Sequence, residues 1–120
     1  MSKVREIHRR AMSLLDEAIV ARMSGDINRY RALQQQAFES EREAAELLTG
    51  ACEQEPTRSI LFRSDATLAL ECGDHGEAER LTSIGLAGNP PAAIAQQLCD
   101  VQAQARLRHS AAPTATSTTV

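Results

Sequence analysis

The first part of the chain alternates apolar and polar residues with the period of an amphipathic helix. Apolar side chains recur every three or four positions at Val4, Ile7, Ala11, Leu14, Ala18 and Ala21. This spacing places them on one face of a helix. Gly25 and Asp26 follow, and a glycine that ends one helix before an aspartate that caps the next indicates a tight turn. The pattern therefore predicts a first helix over residues 2–24.

Four further helices follow from the same kind of signal. The pattern predicts them over residues 27–53, 57–72, 75–88 and 91–108. Proline ends the helices over residues 27–53 and 75–88, because it disfavours the α conformation in the residue before it. The second helix leaves an alternative open, since its apolar stripe skips a turn near Phe38 to Glu41 and the helix could break there. Residues 109–120 are Ser, Thr, Ala and Pro with little else, which predicts a disordered tail.

Two stretches within this helical region share a sequence period. Pro56 lies 34 residues before Pro90, and the residues ahead of each proline match in parallel. The second of these stretches has Phe62, Ala66, Gly73-Asp74, Ala78, Leu86 and Asn89-Pro90 at the positions that shape a helical hairpin. It resembles a tetratricopeptide repeat, in which two short antiparallel helices pack through large and small residues at fixed positions.

The resemblance weakens toward the N-terminus and within the helices. Asp65 and Thr82 occupy positions where the family usually has apolar residues, and Gly25 lies 48 residues before Gly73, which is 14 more than one period. About four extra helical turns fit in that excess without rotating the apolar face. The resemblance therefore implies an all-α fold of about five helices, with antiparallel hairpins stacked as a short right-handed superhelix and an elongated first hairpin.

The resemblance also implies a concave groove that binds a protein or a peptide. The groove is lined by the first helix of each hairpin, at positions that match Met12, Leu15, Ile19, Arg22, Met23, Ile60, Arg63, Thr67, Leu70 and Glu71. In such a groove Arg22 and Arg63 would bind a carboxylate, and the two methionines would adapt to an apolar side chain. The alternative for the apolar members of this set is burial between the hairpins.

Composition and charge narrow the range of partners. The chain is 42% hydrophobic but only 2% aromatic, which favours closely packed helices, and its net charge is −3. That charge gives no overall attraction to nucleic acid or to an anionic membrane. No stretch is long and apolar enough for a signal peptide or a membrane span, so we expect a cytoplasmic protein.

The sequence contains no motif of a catalytic or metal site. It lacks a glycine-rich phosphate loop and a nucleophile elbow, so we expect neither enzymatic activity nor a cofactor. Cys72, Asp74, His75 and Glu77 lie within one turn, but their order matches no zinc spacing. The three cysteines are too few and too widely spaced for a disulfide framework, and we expect them to be reduced and mostly buried.

The leading interpretation is a non-catalytic adaptor that binds a protein or peptide. One alternative is self-assembly as a homodimer, in which Phe38 and Ala45 of two copies would pair. Another is a nucleic-acid-linked regulator, which depends on Arg5, Arg9 and Arg10 around His8 on the first helix.

Overall fold

The computed structural model of the protein describes the backbone of residues 2–118 and the side chains of residues 3–110. Over this part of the chain the fold is all-α, with one short 3₁₀ helix, Cys52–Gln54, and no strand. The five α-helices are α1 Ser2–Met23, α2 Ile27–Glu46, α3 Thr57–Glu71, α4 His75–Leu86 and α5 Ala92–Thr118. The predicted fold class and number of helices are confirmed.

Two turns of the same type join α1 to α2 and α3 to α4. Gly25 and Gly73 have φ values of 82° and 84°, in the left-handed region that glycine adopts without a steric penalty. Each is followed by an aspartate that caps the next helix. Asp26 accepts a hydrogen bond from the Arg29 backbone N–H at 3.2 Å, and Asp74 accepts one from Glu77 at 3.3 Å. Both turns lie where the sequence predicts them.

The end of α2 differs from its prediction. The helix is continuous through Phe38–Glu41, so the predicted alternative of a break is not observed, but it ends at Glu46 instead of residue 53. The chain then turns, and the backbone carbonyls of Leu48 and Thr49 accept hydrogen bonds from the side chain of Arg58 at 3.0 Å or less. These bonds replace the ones that a longer helix would have made.

The end of α5 also differs from its prediction. The helix continues beyond residue 108 as far as Thr118, through residues that were predicted to form a disordered tail. Local propensity does not explain the continuation, because the stretch contains Pro113 and several Ser and Thr residues, which favour a helix less than alanine does. Residues 119 and 120 of the predicted tail lie outside the described residues.

The helices pack as two hairpins and a final helix. The α1–α2 hairpin is longer than the α3–α4 hairpin, with helices of 22 and 20 residues against 15 and 12. Helix α2 packs on α3, and α5 packs on α4 and α3. A Cβ atom on Gly85 would lie only 3.1 Å from side-chain atoms of Leu98 and Phe62. The missing side chain therefore allows three helices to approach closely in the core.

The far end of the α1–α2 hairpin has a small apolar cluster of its own. Ala18, Ala21 and Leu33 are buried there, with Leu14 and Tyr30 packed against them. The main core is formed elsewhere by side chains of all five helices, Phe38 and Phe62 among them. None of the described helices has the length and apolar character required to cross a membrane.

Candidate functional site

A cleft separates the first half of α1 from the start of α3. Val4, Arg5 and His8 line it from α1, and Thr57, Ile60 and Leu61 line it from α3. Its volume is about 230 Å³. We call it the α1–α3 cleft. Val4 and Leu61 also belong to the buried core, so the floor of the cleft is apolar and rigidly supported.

His8 is fixed in the wall of this cleft by a buried carboxyl group. Its Nδ1 atom lies 2.8 Å from Oε1 and 3.1 Å from Oε2 of Glu41. Glu41 comes from α2 and is fully buried, whereas the His8 side chain is 38% exposed. Burial raises the pKa of Glu41, and the hydrogen bond and charge of His8 oppose that rise. The bond orients the imidazole while leaving part of the ring accessible from the cleft.

A second acidic side chain, that of Asp65 in α3, lies fully buried in the core. Among the described residues, neither of its carboxyl oxygens has a hydrogen-bond partner. Burial raises the pKa of Asp65 to about 8, the nearby charge of Glu41 adds to the rise, and Arg42 opposes it. The Asp65 carboxyl is therefore mostly protonated at neutral pH. The sequence identified Asp65 as a departure from the family pattern, and the structure shows its consequence.

The start of α3 is held by Arg58, which sequence reasoning did not identify. This arginine is only 3% exposed. Besides the end of α2, its guanidinium donates to the carbonyls of Ile84 at 2.9 Å and Gly85 at 3.4 Å. It thereby joins the ends of α2 and α4 to α3, the helix that carries three of the cleft residues. A Cβ atom on Gly88 would collide with the Arg58 Nη1 atom, so this glycine makes room for the guanidinium.

Glu55 completes the surroundings of Arg58. Its Oε2 atom lies 3.7 Å from Arg58 Nη1 and accepts the Asn89 backbone N–H at 3.1 Å. Its Oε1 atom accepts the Ser59 backbone N–H at 2.9 Å. Although burial raises the pKa of Glu55, these hydrogen bonds and the Arg58 charge bring it below its ordinary value. The carboxylate therefore balances the charge of the buried guanidinium.

The predicted groove residues of α3 lie in different surroundings. Ile60 lines the α1–α3 cleft. Arg63 and Thr67 instead line a cleft against α5, where Arg63 Nη1 donates to Gln97 Oε1 at 2.6 Å. Leu70 is buried in the core, which agrees with the alternative of burial, and Glu71 is exposed.

The predicted groove residues of α1 are divided as well. Leu15 packs against the main core and Met12 is half-buried. Ile19, Arg22 and Met23 are exposed near the turn into α2. The guanidinium of Arg22 lies 5.8 Å from the ring centre of Tyr30, whereas the guanidinium of Arg63 is bonded on α5. The two arginines thus have different partners within the protein and do not form one carboxylate clamp.

Two further predictions need correction. Phe38 and Ala45, through which two copies were predicted to pair, are 1% and 0% exposed, because both side chains fill the core of a single chain.

The cysteines were predicted to be mostly buried, but Cys52 and Cys99 are exposed and only Cys72 is partly buried. Burial raises the pKa of the Cys72 thiol. Within the described residues, no group of His, Cys, Asp or Glu side chains could hold a metal ion.

Known proteins add no information about these sites. No protein-family model matches the chain, and no curated protein or solved structure is found to be similar to it. The tetratricopeptide resemblance therefore stays a prediction.

Proposed function

We propose that this chain is a non-catalytic, tetratricopeptide-like adaptor of the cytoplasm that binds an acidic protein segment through one apolar anchor side chain. The anchor enters the α1–α3 cleft, and acidic residues beside it contact Arg5 and His8. The observation that carries this proposal is the cleft itself, which combines an apolar floor with a basic wall. Its position between the first helices of the two hairpins is the one that the family resemblance implies.

The size of the cleft supports an anchor side chain as its occupant. A volume of about 230 Å³ is below the roughly 300–1,000 Å³ of sites for small molecules and cofactors. Apolar side chains that fill such a pocket at the centre of an interface provide most of the binding energy in many complexes. Because Val4 and Leu61 are held by the core, the pocket is formed before the partner binds, which reduces the entropy lost on binding.

The charge around the cleft supports an acidic partner. The first turns of α1 carry Lys3, Arg5 and Arg9 as exposed basic residues, against one exposed acid, Glu6. The chain as a whole has a net charge of −3, so the excess of basic residues at the start of α1 is a local feature. Complementary charge steers an acidic segment toward the cleft and fixes its direction more than it raises the affinity.

Selection of short peptides from a random phage-displayed library tests the proposal. We expect the selected peptides to contain an apolar residue beside Asp or Glu, and their dissociation constants can be measured by fluorescence anisotropy. Arg5→Glu and Ile60→Lys should each weaken binding at least tenfold. The matched controls are Arg106→Glu and Ala103→Lys, which make the same charge changes at exposed positions of α5.

The controls separate the site from a general effect of charge. Equal weakening by Arg5→Glu and Arg106→Glu would show that only the overall charge matters. Peptides that bind both cleft variants as tightly as they bind the unmodified protein would contradict the assignment of the site.

A further inference from the structure

A group of large apolar side chains is exposed at the turn between α1 and α2. Ile19, Val20, Met23 and Ile27 are 52%, 65%, 81% and 45% exposed. In the described part of the chain the other exposed large apolar residues are Leu47 and Leu107, which lie apart in sequence on other segments. Residues 19, 20 and 23 share about 100° of the helix surface, given 3.6 residues per turn. We call this surface the tip face.

The tip face is uncovered because, among the described residues, α1 and α2 alone meet at this end of the protein. The close backbone contacts of α1 in the described structure are with α2 alone. The small cluster around Ala18, Ala21 and Leu33 is the only core that the tip has there. Two antiparallel helices bury the faces that they turn toward each other, and any apolar residue on an outer face stays in water unless a further helix packs on it.

The tip face has a protruding part and a recessed part next to each other. Met23 protrudes, with most of its surface in solvent. Beside it lies a depression of about 320 Å³ that is lined by Asp16, Glu17, Val20, Ala21, Ser24 and Arg29. Ala21 and Ser24 are small, which leaves space for a side chain from outside. Methionine is flexible and fills irregular spaces of this kind.

The charges around the tip face are of both signs. Residues 16–31 contain three acidic side chains, Asp16, Glu17 and Asp26, and three basic ones, Arg22, Arg29 and Arg31. Glu17 and Arg29 already form an exposed ion pair at 3.3 Å. A strongly acidic or basic partner would meet like charges on this surface. The tip face of another copy carries the same mixture of charges, so its acidic residues can face the basic residues of the first copy, and the reverse.

We propose that the tip faces of two copies of this chain bind each other in a two-fold symmetric dimer. Met23 of each copy enters the depression beside Val20 of the other. Each helix pair then supplies the cover that the other lacks, and the contact has the form of a four-helix bundle. Two-fold dimers use one surface patch twice, and a protrusion next to a recess makes such a patch complementary to itself. The dimer surface shares no residue with the α1–α3 cleft.

Sedimentation equilibrium over a range of protein concentrations tests the dimer. The unmodified chain should approach twice its mass of 13.0 kDa. Met23→Glu and Val20→Lys should each weaken self-association at least tenfold. Leu107→Glu is the control, since it places the same charge at a residue that is 72% exposed on α5, and it should leave self-association unchanged. Circular dichroism and urea unfolding confirm that each variant is folded.

A mixture of the two variants tests the contact itself. In a mixed dimer Glu at position 23 of one copy meets Lys at position 20 of the other, and the second contact keeps the original Met and Val. An equimolar mixture of Met23→Glu and Val20→Lys should therefore recover the dimer that neither forms alone. An unmodified chain that stays monomeric at all concentrations, or a mixture that stays monomeric, would overturn the proposal.

Discussion

At the scale of single residues, Arg58 and Asp65 show two outcomes for a polar side chain placed in the core. Arg58 has hydrogen bonds to four backbone carbonyls and an acidic neighbour, Glu55. Asp65 has no hydrogen-bond partner at either oxygen in the part of the chain that the structure describes. A buried charge that is fully bonded can be retained at moderate cost, whereas an unpartnered carboxyl avoids the cost of a buried charge by keeping its proton. Arg58 therefore keeps its charge in the core, whereas Asp65 is neutralised by a proton.

Asp65 makes the stability of the protein depend on pH. The pKa of its carboxyl is about 8 in the folded chain, against an ordinary value of 3.8, so between these values only the folded state holds the proton. The free energy of unfolding should therefore fall as pH rises, by up to about 1.4 kcal/mol per pH unit. The stabilisation from the protonated Asp65 carboxyl is fully present below pH 3.8 and is lost above about pH 8. Urea unfolding at a series of pH values measures it.

Asp65→Asn is the matched variant, because it keeps the shape of the side chain and removes its titration. The stability of this variant relative to the unmodified protein should rise steadily as the pH rises from about 5 to about 8. Glu41 remains in both proteins, so its own titration largely cancels in the comparison. Parallel pH profiles for the two proteins would contradict the account of Asp65.

Arg58 should be among the most sensitive positions for folding. Arg58→Ala would leave the carbonyls of Leu48, Thr49, Ile84 and Gly85 without this donor. Removal of one partner from such a buried network costs about 3–5 kcal/mol. Thermal and urea unfolding should show this loss, and Arg106→Ala, at an exposed arginine of α5, should change stability by less than about 0.5 kcal/mol. Similar small effects for both variants would contradict a structural role for Arg58.

The sequence indicated the unusual position of Asp65 but not the role of Arg58. Asp65 could be recognised as unusual because a repeat resemblance assigns an apolar side chain to its position. Arg58 could not, since its four carbonyl partners come from two other segments of the chain. Nothing in the local pattern of a long side chain shows which distant backbone groups it will reach.

At the scale of elements, local signals predicted the helices and their turns better than their ends. The turns at Gly25 and Gly73 depend on a left-handed glycine and the capping residue after it, which are both encoded within a few neighbouring residues. The end of α2 at Glu46 was not predicted. It depends on Arg58, which binds the carbonyls of the following turn from another helix.

Two glycines that are three residues apart should respond to alanine in opposite directions. Gly73 has a φ of 84°, so Gly73→Ala introduces backbone strain and should destabilise the protein by about 1 kcal/mol. Gly76 lies in the first turn of α4, where a Cβ atom would meet nothing closer than His109 at 3.8 Å. Gly76→Ala should stabilise the protein by about 0.4–1 kcal/mol, because alanine reduces the conformational entropy of the unfolded chain. Urea unfolding of both variants measures these changes in the free energy of unfolding. Changes of the same sign would contradict the assigned turn.

At the scale of the whole molecule, the predicted groove residues are distributed over separate surfaces. Ile60 lines the α1–α3 cleft, Arg63 faces α5, and Met23 protrudes at the tip face. Helical spacing shows which residues share a face of one helix. It does not show where neighbouring helices cross or diverge along that face. The cleft could therefore not be predicted from either helix alone. The packing of α1 beside α3 in the structure shows it, and shows that Arg5 and His8 form its basic wall.

The measurement that tests the central claim most directly is a two-dimensional NMR titration of the isotope-labelled protein with one selected acidic peptide. A chain of 13.0 kDa is small enough for each backbone amide to be followed. If the peptide binds in the α1–α3 cleft, the largest shift changes will occur at Val4 to His8 and at Thr57 to Leu61. Changes concentrated around Arg63 and Gln97, or at the tip face, would contradict the account.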